Sequence, residues 1–103
     1  MSWFYLIIGG MFEFGWTVGM KIATTHKLYG TTIAAVGMGL SCLFLYLAQR
    51  TIPIGTAYAV WTGIGAVGAA AIGMIFWNDS VTFQRILGLS LVIIGILTLK
   101  MAA

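Results

Sequence analysis

The sequence predicts an all-α membrane protein: one domain over residues 1–103, built from four transmembrane helices per subunit. Composition is the first reason. Hydrophobic residues make up 61% of the chain and charged residues 7%, with a mean hydropathy of +1.07; soluble domains carry about 25% charged residues. Segmentation is the second. Four apolar runs, separated by short polar turns, approach the length that crosses ~30 Å of hydrocarbon at ~1.5 Å per residue. The third is a lone carboxylate. Glu13 is the only acid in the first 78 positions and lies ten residues beyond Trp3, inside the run WFYLIIGGMFEFGWTVGMKI. A carboxylate near the bilayer midplane costs at least ~2–3 kcal/mol to insert, so it is a candidate for function rather than for architecture.

Helix 1 is expected over about 3–22. Trp3 and Tyr5 stand at one end, where amphipathic rings favour the headgroup level, and Lys21 closes the other. The run does not read as a secretory signal: no positive segment precedes it, Glu13 interrupts it, and no small-x-small site follows. In the loop ATTHKLYG, His26 is a solvated, lone histidine, so no metal site is expected. Helix 2 is expected over about 30–48 and ends at Gln49-Arg50-Thr51. Its Cys42, the single cysteine, has no internal disulfide partner.

Pro53 suits the first turn of helix 3, expected over about 54–77, because its missing N–H costs nothing there. Gly65, Ala69 and Gly73 recur every four residues and permit close helix contact. Gly63-Ile64-Gly65 is a candidate bend, since glycine resists bending least. Asn78-Asp79-Ser80 reads as a turn, with Asp79 in a loop or capping role. Helix 4 is expected over about 83–101. Its strictly apolar part, Ile86–Leu99, is 14 residues long, so Arg85 and Lys100 must snorkel to the interfaces. Gly88 and Gly95, seven apart, lie on one face and suit a seam against a partner subunit.

The net charge of +3 comes from basic residues spread along the chain, with no basic run that would indicate nucleic-acid or polybasic lipid binding. Four spans put Lys21, Lys27 and Arg85 on one side, Arg50 and Lys100 on the other. An excess of one barely biases orientation under the positive-inside rule. Insertion in both orientations would give an antiparallel, dual-topology homodimer, with the inverted symmetry that many transporters carry within one chain.

Residues three and four apart share a helix face. Gly9, Glu13, Trp16 and Met20 form one stripe on helix 1; Ile54, Tyr58, Trp61 and Gly65 form another on helix 3; Ser41, with Met38 and Leu45, is the polar counterpart on helix 2. A carboxylate in hydrocarbon exchanges a bound proton for a bound cation, because the naked anion is the costly form. Trp16, Tyr58 and Trp61 offer cation–π faces worth ~0.5–2 kcal/mol each. Ser41, the Tyr58 hydroxyl and the two indole N–H groups can hydrogen-bond the carboxylate and fix its orientation.

The motif Gly9-Gly-Met-Phe-Glu-Phe-Gly-Trp16 and the run PIGTAYAVWTGIGAVG, residues 53–68, resemble the small multidrug resistance family of four-helix exporters, and the likeness extends over the whole chain. Trp16, Ser41 and GTAYAVWTG resemble its guanidinium-exporting subtype; the quaternary-ammonium subtype typically lacks a Trp at the first position and has a bulkier aromatic at the second. The resemblance implies an antiparallel homodimer in the cytoplasmic membrane that exchanges protons for guanidinium ion. It implies that Glu13 binds both, that Trp16, Ser41, Tyr58 and Trp61 order it, that Gly63 and Gly65 form a hinge, and that Gly88 and Gly95 belong to the dimer seam. No cofactor is implied. Met38 and Cys42 are expected to widen a side portal for small substituted guanidiniums. The first loop lacks the proline often found at the start of helix 2, and Asp79 stands where a Glu-containing turn is usual.

Three other readings stay open at this level: a quaternary-ammonium and multidrug antiporter, a small dual-topology ion channel, and a non-transporting assembly partner. A channel needs a continuous hydrated path, and a single mid-membrane charge fits a competitive site better.

Overall fold

A computed structural model describes residues 1–102 as four helices running alternately up and down: α1 Ser2–Ala23, α2 Lys27–Gln49, α3 Ile54–Phe76 and α4 Phe83–Ala102. All four are long and apolar enough to cross a membrane, and the chain is a multi-pass membrane protein. The connections are short. His26 donates its backbone N–H to the Ile22 carbonyl at 2.8 Å, and Gly30 donates to the His26 carbonyl at 2.8 Å, so α2 begins at Lys27, three residues before the apolar run. Hydropathy marks where lipid ends, not where helical hydrogen bonding ends, and the polar first turn of α2 falls between the two.

Pro53 stands one place outside α3, as its N-cap with φ −51° and ψ 136°, and its carbonyl accepts the Ala57 N–H at 2.9 Å. The other end of α3 closes on the Gly73 carbonyl, which accepts the N–H groups of Trp77 at 3.0 Å and Asp79 at 3.1 Å. The chain reverses at Asn78, whose φ of 61° is the left-handed region that asparagine tolerates better than most residues. The side-chain cap of α4 is Thr82, whose hydroxyl accepts the Arg85 N–H at 3.1 Å. Asp79 therefore finishes α3 through its backbone, and Thr82 starts α4.

α1 is the central helix. It packs along α2 and α3, whereas α4 rests beside α3. Leu6, Ala48, Ile52, Ala57 and Val60 form a fully enclosed cluster at the end holding the α2–α3 turn. Elsewhere the helices meet through glycine. A Cβ on Gly19 would stand 2.6 Å from the Ala34 nitrogen, and one on Gly30 would collide with the Ala23 backbone. Burial of apolar surface does little to join helices in lipid, so such close backbone approach supplies the packing that holds α1 to α2.

α4 has no buried residue. Its Val92 and Ile96 side chains sit over Gly63, and the Lys100 ammonium lies 5.5 Å from the Trp3 ring centre. That cation–π contact ties the end of α4 to the start of α1 and is worth about 0.5–1 kcal/mol at an exposed site.

Gly19→Ala is expected to destabilise the protein by about 1–3 kcal/mol through overpacking of the α1–α2 contact. Gly55→Ala, where a Cβ meets nothing within 4 Å, is expected to leave stability unchanged or slightly raised. Thermal unfolding of the purified variants in detergent checks the contrast.

Candidate functional site

Four hydroxyls inside the spans are satisfied by their own helix. Thr17, Thr32, Ser90 and Thr98 each donate to a carbonyl three or four residues back, at 2.8–2.9 Å. This is the usual fate of Ser and Thr in a membrane helix. Ser41 is different. It is fully buried, and its Oγ donates across the helix interface to the Gly9 carbonyl of α1 at 2.7 Å. The same oxygen accepts the Trp61 indole N–H from α3 at 2.8 Å and lies 3.4 Å from the Glu13 Oε2. One hydroxyl thus joins α1, α2 and α3 beside the mid-membrane carboxylate.

A hydroxyl has one proton to give. At 2.7 Å the Gly9 carbonyl holds it; 3.4 Å is long for an O–H···O bond. The Trp61 indole therefore donates to Ser41 rather than directly to Glu13, and the chain ends on the Gly9 carbonyl beside the carboxylate. The physical reason is Gly9. A Cβ there would stand 3.1 Å from the Phe44 Cβ and 3.2 Å from the Trp61 Cδ1, so the bare backbone lets both rings close over α1 and brings the indole to Ser41.

Two further glycines make room in the same way. A Cβ on Gly65 would overlap the Glu13 Cγ, and one on Gly37 would stand 3.1 Å from the Trp16 nitrogen. Gly65 is the shelf on which the Glu13 side chain lies against α3. Gly37 is the notch that seats Trp16 on α2.

Glu13, Ser41, Trp61, Gly9 and Gly65 are thus brought together. Tyr58 lies tilted against Trp61, with ring centres 5.5 Å apart, and remains 55% exposed. Trp16 is half-buried on the Gly37 notch, apart from the Ser41–Trp61 chain. Met38 and Cys42 are exposed on α2. α3 runs without interruption through Gly63-Ile64-Gly65, with Gly63 under Val92 and Ile96 of α4 and Gly65 under Glu13. Gly88 and Gly95 face open space on α4. The Gly9 carbonyl is the partner that residue patterns did not supply; its only sequence signal is a glycine one turn before the acid.

The site carries no basic counter-charge of its own. The five basic residues all sit at or near helix ends: Lys21, Lys27, Arg50, Arg85 and Lys100. Among the described residues no cluster of His, Cys, Asp and Glu could hold a metal ion. The arrangement can bind a proton, or a small cation able to donate hydrogen bonds, between a carboxylate and aromatic faces.

Comparison with known proteins bears on the same residues. The family described as Small Multidrug Resistance protein matches residues 1–92. A protein named guanidinium exporter from Salmonella typhimurium (strain LT2) is 44% identical over 106 residues, covering 100% of this chain and 99% of its own length. Proteins of the same name from Yersinia pestis and Citrobacter freundii are 42% and 45% identical, with 98% or more of each chain covered. With the four spans, the Glu13 motif and this match from the first residue to the middle of α4, the chain is a member of the small multidrug resistance family.

Proposed function

We propose that the protein exports guanidinium ion, and small substituted guanidiniums, across the cytoplasmic membrane in exchange for protons, and that it works as an antiparallel, dual-topology homodimer. The observation that carries this reading is the Glu13 carboxylate, set on the Gly65 shelf beside the Trp61–Ser41–Gly9 hydrogen-bonded chain. The relatives named guanidinium exporter support the choice of substrate.

Glu13 is the residue assigned to both ligands. Guanidinium is planar and permanently charged near neutral pH, and its paired N–H donors match the edge of a carboxylate. A proton and the cation neutralise the same group and therefore exclude each other, which is the basis of exchange. Two Glu13 side chains from opposed protomers would form one site at the midplane, flanked by Trp16, Trp61 and Tyr58. Ser41 acts as the adjustable donor. With Glu13 protonated, its hydroxyl stays on the Gly9 carbonyl; with Glu13 ionised and holding a cation, a turn of the hydroxyl brings its proton to Oε2. Trp61 positions Ser41 in both cases.

The remaining assignments follow the same reading. Gly88 and Gly95 form the dimer seam on α4, whose exposed face has no partner within the protomer. Gly63 and Gly65 form the hinge of α3, where motion would be coupled to α4 through Ile96 and to the carboxylate through Glu13. Met38 and Cys42, exposed on α2, line the side portal. A quaternary ammonium has no N–H to offer and needs a roomier aromatic cage. Trp16 and Ser41 therefore favour guanidinium over that rival.

The direct test is proton-driven exchange in liposomes holding only this chain, with guanidinium and a quaternary ammonium in competition. Guanidinium transport with little quaternary-ammonium transport is the expected result; the reverse preference overturns the substrate assignment. Glu13→Gln is expected to abolish exchange, and persistence of currents in that variant would favour a channel. Ser41→Ala strands the Trp61 N–H and is expected to weaken guanidinium binding by about 5–10-fold, the low end of the ~1–3 kcal/mol for an orphaned buried donor. Trp16→Phe removes one indole donor and is expected to cost about 2–10-fold in affinity; calorimetric titration of the purified variants measures both.

A further inference from the structure

We propose that the cleft where the α1–α2 turn meets the end of α3 binds the phosphate of an anionic lipid headgroup. The cleft holds about 540 Å³, and its polar lining comes from Lys21, Thr24, Thr25, His26 and Tyr29, with Trp77 as the far wall. Lys21 lies in the last turn of α1, and Trp77 caps α3. The cleft is therefore at the level where a bilayer presents its headgroups, and Trp77 and Tyr29 are the amphipathic rings that favour this level.

Charge and hydrogen-bonding capacity point to an anion. The Thr24 and Thr25 hydroxyls are spent on the carbonyls of Lys21 and Ile22, at 2.7 and 3.2 Å. The Thr25 hydroxyl, its proton given to Ile22, accepts from His26 Nδ1–H at 3.1 Å, so the neutral ring has no donor left at Nε2 and the donors that face the cleft are those of Lys21 and Tyr29. Lys21 brings three N–H donors and a full positive charge, and the Tyr29 hydroxyl a further donor. The proposed substrate, a cation, is repelled by Lys21, so this cleft lies apart from the Glu13 site in chemistry as well as in depth.

The one acid nearby is Asp79, in an adjoining cleft of about 170 Å³ that shares Lys21 and Trp77 as walls. Its carboxylate lies against Gly73. Lys21 thus stands between a fixed carboxylate on one side and the open cleft on the other. No run of basic residues announces the site in the sequence. It exists because the last turn of α1 carries Lys21, and the α1–α2 turn carries His26, to the end of α3, where Trp77 closes the wall.

The phosphate could in principle come from lipid or from solution, and the membrane level of the cleft favours lipid. The test is native mass spectrometry of the purified full-length protein in detergent with equal amounts of phosphatidylglycerol and phosphatidylcholine of the same acyl chains. About fivefold preferential retention of phosphatidylglycerol is expected, the scale of one Lys near an anionic headgroup. Lys21→Gln should remove the preference, Lys21→Arg should keep it, and Lys27→Gln, outside the cleft, should leave it intact. Equal retention of the two lipids by the unaltered protein overturns the proposal. So does a preference that survives Lys21→Gln or vanishes equally with Lys27→Gln. Full displacement of phosphatidylglycerol by inorganic phosphate would show a free-anion site and overturn the lipid assignment.

Discussion

A carboxylate in hydrocarbon must be neutralised, and this chain holds no basic residue in the middle of its spans to do it. All five cationic side chains sit at or near helix ends, where water and headgroups can reach them. Glu13 sits in the middle of α1. Neutralisation from outside the protomer, by a proton or by a mobile cation, is the reading this arrangement supports. That constraint separates Glu13 from an ordinary membrane ion pair, in which both charges are fixed and nothing needs to move.

The surrounding architecture serves the same constraint. Gly9, Gly37 and Gly65 remove side chains where Trp61, Trp16 and Glu13 must lie, and Gly19 and Gly30 bring α1 and α2 close enough for Ser41 to reach the Gly9 carbonyl. Without these gaps the helices would stand further apart, and Ser41 would return to its own helix as Thr17, Thr32, Ser90 and Thr98 do. The packing that holds the bundle together and the hydrogen bonding beside the acid are therefore one arrangement. α4 stands outside it, with no buried residue, attached through Gly63 and Trp3 and through Ile96 and Leu99 against the core.

Much of this was legible in the residues. Four apolar runs fix four spans, because a bilayer admits little else of that length and composition. Glu13 identifies itself by cost. Ser41 and Trp61 could be grouped with it by residue type and helical spacing. Less legible was anything set by helix crossing. Which oxygen Ser41 binds depends on where α2 lies over α1. The Trp61 indole, free by its spacing to bond the carboxylate directly, donates to Ser41 instead because Gly9 lets the ring close at that height. The start of α2 was hidden by its polar first turn, and the cap of α4 fell to Thr82 rather than Asp79 because Asn78 turns the chain back on α3. The Lys100–Trp3 contact joins opposite ends of the sequence, and no local pattern encodes it.

The account stands or falls on one group shared in turn by two ligands. Adding guanidinium to the purified protein in weakly buffered detergent and following the pH measures this directly. Release of protons that saturates with guanidinium, and that disappears in Glu13→Gln, is the predicted result. Guanidinium binding without proton release, or proton release undiminished in Glu13→Gln, would contradict it.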